Sequence, residues 1–175
     1  MEVNGAVMLP TPREFMDFQL IDKNGDPFTK ENFEGKWTMI FPGFTNCPDI
    51  CPITMAMLAK TYEQMDAKPK ENLQVVLMTA DPNRDTPERL KQYVEYFNPE
   101  FQAMTGDYST LINLGVQLSI AFSVVDPSTA GDDYLVEHSG NIVLINPNGH
   151  YHGYFKPPFE ASRLKVTYQS AWVSF

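Results

Sequence analysis

The sequence predicts an α/β fold in which helices cover a central sheet. Short, continuous apolar runs alternate along the chain with longer segments that carry apolar residues at helical spacing. The turn signal Pro147-Asn148-Gly149 separates two strand-like runs near the C-terminus. The chain has 175 residues, of which 43% are apolar, so it can bury a real core, and its length leaves little for a second domain. We therefore expect residues 1–175 to form a single domain.

The N-terminal quarter is predicted to contain an extended lead-in, a hairpin and a buried strand. The lead-in covers residues 1–14, where Pro10 and Pro12 disfavour a helix. Residues 15–21 and 27–29 read as hairpin strands because they flank a turn sequence, Asp-Lys-Asn-Gly. Residues 38–44 are mostly apolar and predict a buried strand that ends at Pro42-Gly43.

The rest of the chain is predicted to alternate helices with strands. Residues 53–66 form the first helix, in which Met55, Leu58, Ala59, Tyr62 and Met65 recur at helical spacing and pack in the core. The later elements are a strand at 73–79, a helix that opens with a cap and Pro87 and runs to about 97, a helix at 107–122, hairpin strands at 141–146 and 151–155, and a helix from 159 to about 171. The order β-α-β-α-β-β-α, with an extra N-terminal hairpin, is that of a thioredoxin-like fold.

Charge and hydropathy exclude several classes of function. Lys and Arg number 13 against 22 Asp and Glu, which gives a net charge of −9. No basic stripe is present to neutralise phosphates, so we expect no nucleic-acid partner. No apolar run approaches the roughly 18–20 residues that span a bilayer.

The two cysteines of the chain, Cys47 and Cys51, indicate chemistry rather than structural crosslinking. A disulfide that closes so short a loop cannot stabilise a 175-residue fold, so a redox pair or a metal site is expected. Pro52 has no N–H group to donate, so the helix should begin near it. Cys47 would then lie on the loop and Cys51 in the first turn. The positive end of a helix favours the thiolate form of both side chains.

The spacing of the cysteines leaves redox and metal chemistry open. Cys-x-x-x-Cys is one residue longer than the thioredoxin motif, yet it still permits a disulfide. A metal clamp needs a third ligand, and only His138, His150 and His152 are available as histidines. In a thioredoxin-like fold the loop that holds His138 faces the cysteine loop, whereas His150 and His152 are expected to be exposed to solvent. Two thiolates and an imidazole suit Cu(I) or Cu(II) better than zinc.

Residues 43–52, GFTNCPDICP, resemble the signature of the Sco/SenC family of copper-binding proteins in cytochrome c oxidase assembly. The resemblance extends over about residues 10–170. Its further segments are Pro27–Thr29, GKW at 35–37, DPNRDTP at 81–87, and EHS at 137–139 with INPNG at 145–149.

This resemblance implies that Cys47, Cys51 and His138 together bind one copper ion. It implies a metallochaperone rather than an enzyme. Such a protein would deliver copper to the dinuclear copper site of cytochrome c oxidase subunit II, or reduce the thiols of that site. Expected partners are subunit II or another copper protein, and other copper chaperones or thiol reductants. The expected location is the periplasmic face of a bacterial inner membrane, through an anchoring segment outside this sequence. The alternative is the mitochondrial inner membrane, facing the intermembrane space.

The main alternative function is a thiol–disulfide oxidoreductase that uses Cys47 and Cys51. Against it, residues 137–140 contain no proline where thioredoxins place a cis-proline for substrate binding. Peroxide reduction fits less well, because peroxiredoxins place a threonine three residues before the reactive cysteine and Thr45 is two residues before Cys47.

Asp49 either tunes the copper loop or stabilises the helix N-terminus. The acidic segment 126–133 is expected to be a solvated connection.

Overall fold

The structure, a computed structural model, describes residues 2–47, 50–120, 122–124, 136–138 and 140–175, of which 3, 50, 122–124 and 136–138 are described by their backbone alone. Asp49 and the acidic segment 126–133 lie outside the described residues. The strands are β1 (Glu2–Val3), β2 (Ala6–Arg13), β3 (Gln19–Asp22), β4 (Pro27–Thr29), β5 (Trp37–Gly43), β6 (Leu73–Thr79), β7 (Gln102–Thr105), β8 (Phe122–Val124), β9 (Val136–His138), β10 (Ile142–Ile145) and β11 (Tyr151–Phe155). The helices are α1 (Ile50–Gln64), α2 (Ala67–Glu71), α3 (Pro87–Phe97), α4 (Tyr108–Gln117) and α5 (Ala161–Ser174), and a 3₁₀ helix spans Lys30–Phe33.

Within the described residues, nine strands form one mixed sheet in the order β1-β2-β11-β10-β5-β6-β7-β3-β4. The centre consists of β5, β6 and β7, which run parallel. β10 and β11 extend the sheet antiparallel on one side, and β3 with β4 extends it on the other. In the part of the chain that the structure describes, β8 and β9 form a separate two-stranded sheet.

Two hydrophobic cores form because successive residues of a strand point to opposite faces of the sheet. In β5, Trp37, Met39 and Phe41 belong to one core, which also takes in residues of α1, α3 and α5. Ile40, between them in the sequence, belongs to the other core together with Leu111 of α4. All seven residues of β5 are buried. This layering explains why the strand reads as a continuous apolar run.

Most predicted elements are confirmed. The strand at 73–79 coincides with β6, and the strand at 38–44 is β5 shifted by one residue. The two predicted hairpins form as β3–β4 and β10–β11. α3 has the predicted bounds, whereas α1 and α5 are shifted by two to three residues from the predicted 53–66 and 159–171. Met55 and Met65 are buried in the core as expected.

The structure departs from the prediction in three places. The helix predicted over 107–122 ends at Gln117, since Ser119 adopts a left-handed φ of 59° and the chain then enters β8. The lead-in at 1–14 is extended as predicted, but its strand β2 also pairs with β11 in the main sheet. The sequence does not predict β7. Only its two central residues are apolar, between a Gln and a Thr at the ends, and so short a run gives no clear strand pattern.

Candidate metal centre

The two cysteines occupy the connection between β5 and α1, as the sequence predicts. Cys47 lies on the loop, where its backbone N–H donates to the carbonyl of Phe44 at 3.2 Å. Cys51 lies in the first turn of α1. Both are withdrawn from water, since Cys47 is 8% exposed and Cys51 is inaccessible. Both side chains belong to the core that also contains Phe44 and Met55.

Gly43, the last residue of β5, allows the strand to approach the sulfur of Cys51. A Cβ atom at this position would lie 3.3 Å from Cys51 Sγ. It would also lie 2.9 Å from Cδ1 of Leu77 and 3.1 Å from Cε1 of Phe41. These separations are shorter than ordinary side-chain contacts. The absence of a side chain at Gly43 therefore fixes how closely the sheet packs against the thiol.

The thiols of Cys47 and Cys51 are hydrogen-bonded to each other, and no disulfide joins them. Burial raises the pKa of the Cys51 thiol far above its ordinary value, and the hydrogen bond with Cys47 raises it further. A hydrogen bond from the backbone amide of Phe44 acts in the opposite direction but is the smaller effect. The expectation that the helix N-terminus makes both groups thiolates is therefore wrong for Cys51, because desolvation outweighs the helix dipole. A bound metal ion reverses this balance, since a coordinating thiol is deprotonated outright.

Asp85 holds the cysteine loop in place from the segment that follows β6. Its Oδ2 accepts hydrogen bonds from the Thr45 backbone N–H at 3.1 Å and from the Thr79 hydroxyl at 2.8 Å. Its Oδ1 accepts from the Thr45 hydroxyl at 2.5 Å. The carboxyl group is buried, which raises its pKa, and the hydrogen bonds from Thr45 and Thr79 oppose that rise. Thr45 is thereby fixed two residues before Cys47.

The rest of the 81–87 segment reinforces this contact. The Thr79 hydroxyl accepts from the Asp81 backbone N–H at 2.9 Å, and Asp81 Oδ2 pairs with Nε of Arg84 at 2.5 Å. Arg89, in the first turns of α3, donates from its guanidinium to the side-chain carbonyl of Asn46. The predicted helix start is confirmed, because the Thr86 side chain accepts from the Arg89 backbone N–H.

Sequence reasoning missed the role of Asp85. In the sequence, the motif DPNRDTP at 81–87 indicates only a family resemblance and the start of a helix. The signal that points to Asp85 is its position in the chain. It follows a buried parallel strand, β6, at the same sheet edge where β5 leads into the cysteine loop. Polar residues that follow neighbouring parallel strands meet at that edge.

Tyr93 of α3 is a second residue that sequence reasoning did not single out. Its ring packs against the core that contains both cysteines, and it meets Phe97 edge-on with ring centroids 5.3 Å apart. Its hydroxyl oxygen is buried and has no hydrogen-bond partner among the described residues. Burial raises the pKa of the Tyr93 phenol above its usual range, and electrostatic interaction with Cys51, Cys47 and Asp85 raises it further. The phenol thus belongs to the same core as the two cysteines.

His138 is the last residue of β9, which pairs with β8 so that His138 lies opposite Phe122. β10 follows directly and runs antiparallel to β5, with Val143 opposite Ile40 and Ile145 opposite Thr38. The start of β10 thus lies beside the end of β5, which leads to Cys47. The side chain of His138 lies outside the described residues, so its role as third ligand stays a prediction. Among the side chains that the structure describes, no three His, Cys, Asp or Glu residues are grouped as a metal site.

His150 and His152 lie at the other end of the sheet. Residue 150 precedes β11, and the hairpin turn contacts Gly35, whose N–H donates to Pro147 at 2.9 Å, just before β5 begins. The prediction that both histidines are exposed is wrong, since both are half-buried. The His152 ring meets Trp37 edge-on at 5.0 Å between centroids, and burial lowers its pKa. His150 Nε2 lies 3.5 Å from Glu14 Oε1.

Comparison with known families decides the relationship. A family model, SCO1/SenC, matches residues 8–171. The chain belongs to the SCO1/SenC family. A protein of Stutzerimonas stutzeri named for copper binding is 39% identical over 160 residues, which cover 91% of this chain and 78% of the relative. The mitochondrial protein SCO2 of Saccharomyces cerevisiae is 37% identical over 147 residues, covering 84% of this chain and 47% of the relative. This chain thus spans about half of the yeast protein.

Solved structures of the SCO1/SenC family confirm the thioredoxin-like α/β fold. Yeast Sco1 with copper bound superposes with a TM-score of 0.86 at 31% identity, over 94% of this chain and 91% of that chain. No helix among the described residues is both long enough and apolar enough to cross a bilayer.

Proposed function

We propose that this member of the SCO1/SenC family binds one copper ion through Cys47, Cys51 and His138. The observation that carries the proposal is the pair of buried, hydrogen-bonded thiols that no disulfide joins. Two sulfur donors on one short loop suit a soft metal ion, and copper accepts two thiolates with an imidazole. The structure of yeast Sco1 with copper bound matches nearly the whole of this chain, which supports copper as the cargo here.

In this proposal copper is cargo, and the protein acts as an assembly factor. The chain holds copper until a partner's thiolates replace its own ligands. The proposed recipient is the dinuclear copper site of cytochrome c oxidase subunit II. The Asp85 contacts keep the loop organised while no ion is bound, because they involve neither sulfur. We further propose that the protein works at the periplasmic face of a bacterial inner membrane, with the mitochondrial intermembrane space as the alternative.

Copper stoichiometry tests the proposal. The reduced protein is loaded with Cu(I) under anaerobic conditions, desalted and analysed for metal and protein. One copper per chain is expected, with sharply weaker retention in Cys47→Ser, Cys51→Ser and His138→Ala. His150→Ala is the matched control, since it removes an imidazole at the far end of the sheet. Unchanged retention in His138→Ala would show that the three-ligand set is wrong.

A second candidate function, thiol–disulfide exchange, is favoured by the hydrogen bond between the two free thiols. One thiolate would attack a partner disulfide, and the other would resolve the mixed disulfide. The partner then gains two thiols, and Cys47 and Cys51 become a disulfide. Against this function, the raised pKa of Cys51 leaves that group protonated in the metal-free chain. A wild-type protein that retains no copper but cycles readily between dithiol and disulfide would favour the exchange function.

A further inference from the structure

A cavity of about 400 Å³ lies between α5 and the strands β2 and β11. Its walls are mainly apolar and include Met8 of β2, Ala171 of α5 and Phe175. Sites that bind small organic molecules have volumes of about 300–1,000 Å³, so this cavity falls within their range. His152 of β11 also lines the cavity, and its ring meets Trp37 at the start of β5. The cavity therefore adjoins the end of β5 opposite to the one that leads to the cysteines.

The hydrogen bonds of Asn146 determine which nitrogen of His152 carries the proton. Asn146 Oδ1 accepts from the backbone N–H groups of Asn148 at 3.1 Å and of His150 at 3.2 Å. The nitrogen of the same amide, Nδ2, can only donate, and it lies 3.2 Å from His152 Nδ1. Nδ1 is therefore the acceptor, and the neutral imidazole carries its proton on Nε2. Burial disfavours the charged ring and so agrees with the neutral form.

The Nε2–H group of His152 is a donor that the protein leaves unused. No described residue accepts a hydrogen bond from it, although the ring forms part of the cavity wall. Thr167 of α5 lines the same cavity, and its hydroxyl oxygen is buried without a hydrogen-bond partner among the described residues. Two residues with an unpaired donor thus border one apolar cavity from different elements. Unpaired polar groups in such surroundings are costly and call for an explanation.

We propose that this cavity binds a small, mainly apolar molecule that carries one carbonyl oxygen. The oxygen accepts a hydrogen bond from His152 Nε2–H, and the body of the molecule packs between Met8, Ala171 and Phe175. A carbonyl oxygen has two lone pairs, so it can also accept from the Thr167 hydroxyl. An uncharged acceptor is favoured over a carboxylate, because the imidazole is neutral and burying a charge among apolar side chains costs far more.

Nuclear magnetic resonance titrations with two probes of nearly the same shape test the site. Acetophenone carries a carbonyl group, and ethylbenzene has a methylene group in its place. Both probes should shift the ring resonances of His152 and the methyl resonance of Ala171. Acetophenone should bind about five-fold more tightly than ethylbenzene, the effect of one net hydrogen bond. Long-range proton–nitrogen spectra should show the His152 proton on Nε2, and only acetophenone should move the Nε2 resonance strongly.

Three variants separate the hydrogen bond from the shape of the cavity. His152→Phe removes the donor and keeps a ring beside Trp37, so the two probes should bind this variant equally. His150→Gln is the matched control and should keep the preference for acetophenone, because His150 lies in the same hairpin but is not among the described residues that line the cavity. Ala171→Leu fills part of the cavity and should weaken the binding of both probes.

Several outcomes would overturn the inference. Equal affinities of the two probes for the wild type, or a His152 proton found on Nδ1, would remove the carbonyl recognition. Unshifted His152 and Ala171 resonances with both probes would remove the site itself. A dimer in sedimentation that Ala171→Leu dissociates would assign the cavity to a second copy of the chain instead. All these measurements use the metal-free protein, so failure here is distinguishable from failure of the proposed copper function.

Discussion

Asp85 binds Thr45 through both of its carboxylate oxygens, across 40 residues of sequence. Because Thr45 lies two residues before Cys47, the segment after β6 fixes the start of the cysteine loop. The third hydrogen bond, from Thr79, ties the same carboxylate to the end of β6. The candidate centre is therefore built on two neighbouring parallel strands and does not depend on the loop alone.

Replacing Asp85 by alanine should destabilise the fold and loosen the cysteine loop. The buried Thr79 hydroxyl and the half-buried donors of Thr45 would be left without an acceptor, at a cost of about 2 kcal/mol in the free energy of unfolding. Urea unfolding of the metal-free protein measures this loss, and chelator competition should show weaker Cu(I) binding. Asp17→Ala is the control, since Asp17 is exposed on the surface. An unfolding curve that superposes on the wild type would rule out the anchoring role of Asp85.

Gly43→Ala should impair the centre without touching a ligand. The added methyl group would lie 2.9 Å from Leu77 Cδ1 and 3.3 Å from Cys51 Sγ, so side chains in the core must shift. Overpacking of this kind costs about 1–3 kcal/mol of stability. Gly140→Ala serves as the stability control, because its new Cβ would meet Pro157 Cγ at an ordinary 3.5 Å. Equal unfolding midpoints for the two variants would contradict the close approach at Gly43.

The Cys51 thiol should resist alkylation in the folded, metal-free protein. The side chain is inaccessible, and burial raises its pKa, so the reactive thiolate is scarce at pH 8. Iodoacetamide followed by peptide mass spectrometry should find Cys51 unlabelled under native conditions. In guanidinium chloride both cysteines should be labelled. Prompt labelling of Cys51 in the native protein would be inconsistent with its burial.

His152 should make the fold less stable in mild acid. Burial lowers its pKa in the folded state, so the unfolded chain takes up a proton first as the pH falls through about 6.5. Stability is therefore complete above that pH and declines below it, by less than about 1.4 kcal/mol per pH unit because the ring is partly exposed. His152→Phe, which preserves an aromatic ring beside Trp37, should flatten the decline in melting temperature between pH 7.5 and 5.

His150→Gln is the control for that comparison, since His150 lies in the same hairpin and pairs with Glu14 at the surface. A decline in His152→Phe as steep as that of the wild type would assign the acid sensitivity to other groups.

The sequence was most informative where one physical requirement dominates. β5 and β6 are buried on both faces, so their apolar runs predict them directly. The position of Cys47 on a loop and Cys51 on a helix follows from Pro52. β7 and the Asp85 contacts were not predictable in this way, because each depends on which strands become neighbours. The protonation of Cys51 was predicted wrongly for the same reason, since its burial is a property of the assembled core.

The two thiols lie at different depths, with Cys47 slightly open to solvent and Cys51 closed off. In the proposed copper-bound state, a partner thiolate is therefore expected to meet the sulfur of Cys47 before that of Cys51. The proposed release of copper would then have an order, in which the outer sulfur yields first and the inner one last. Two ligands at equal depth would give the proposed exchange no such direction.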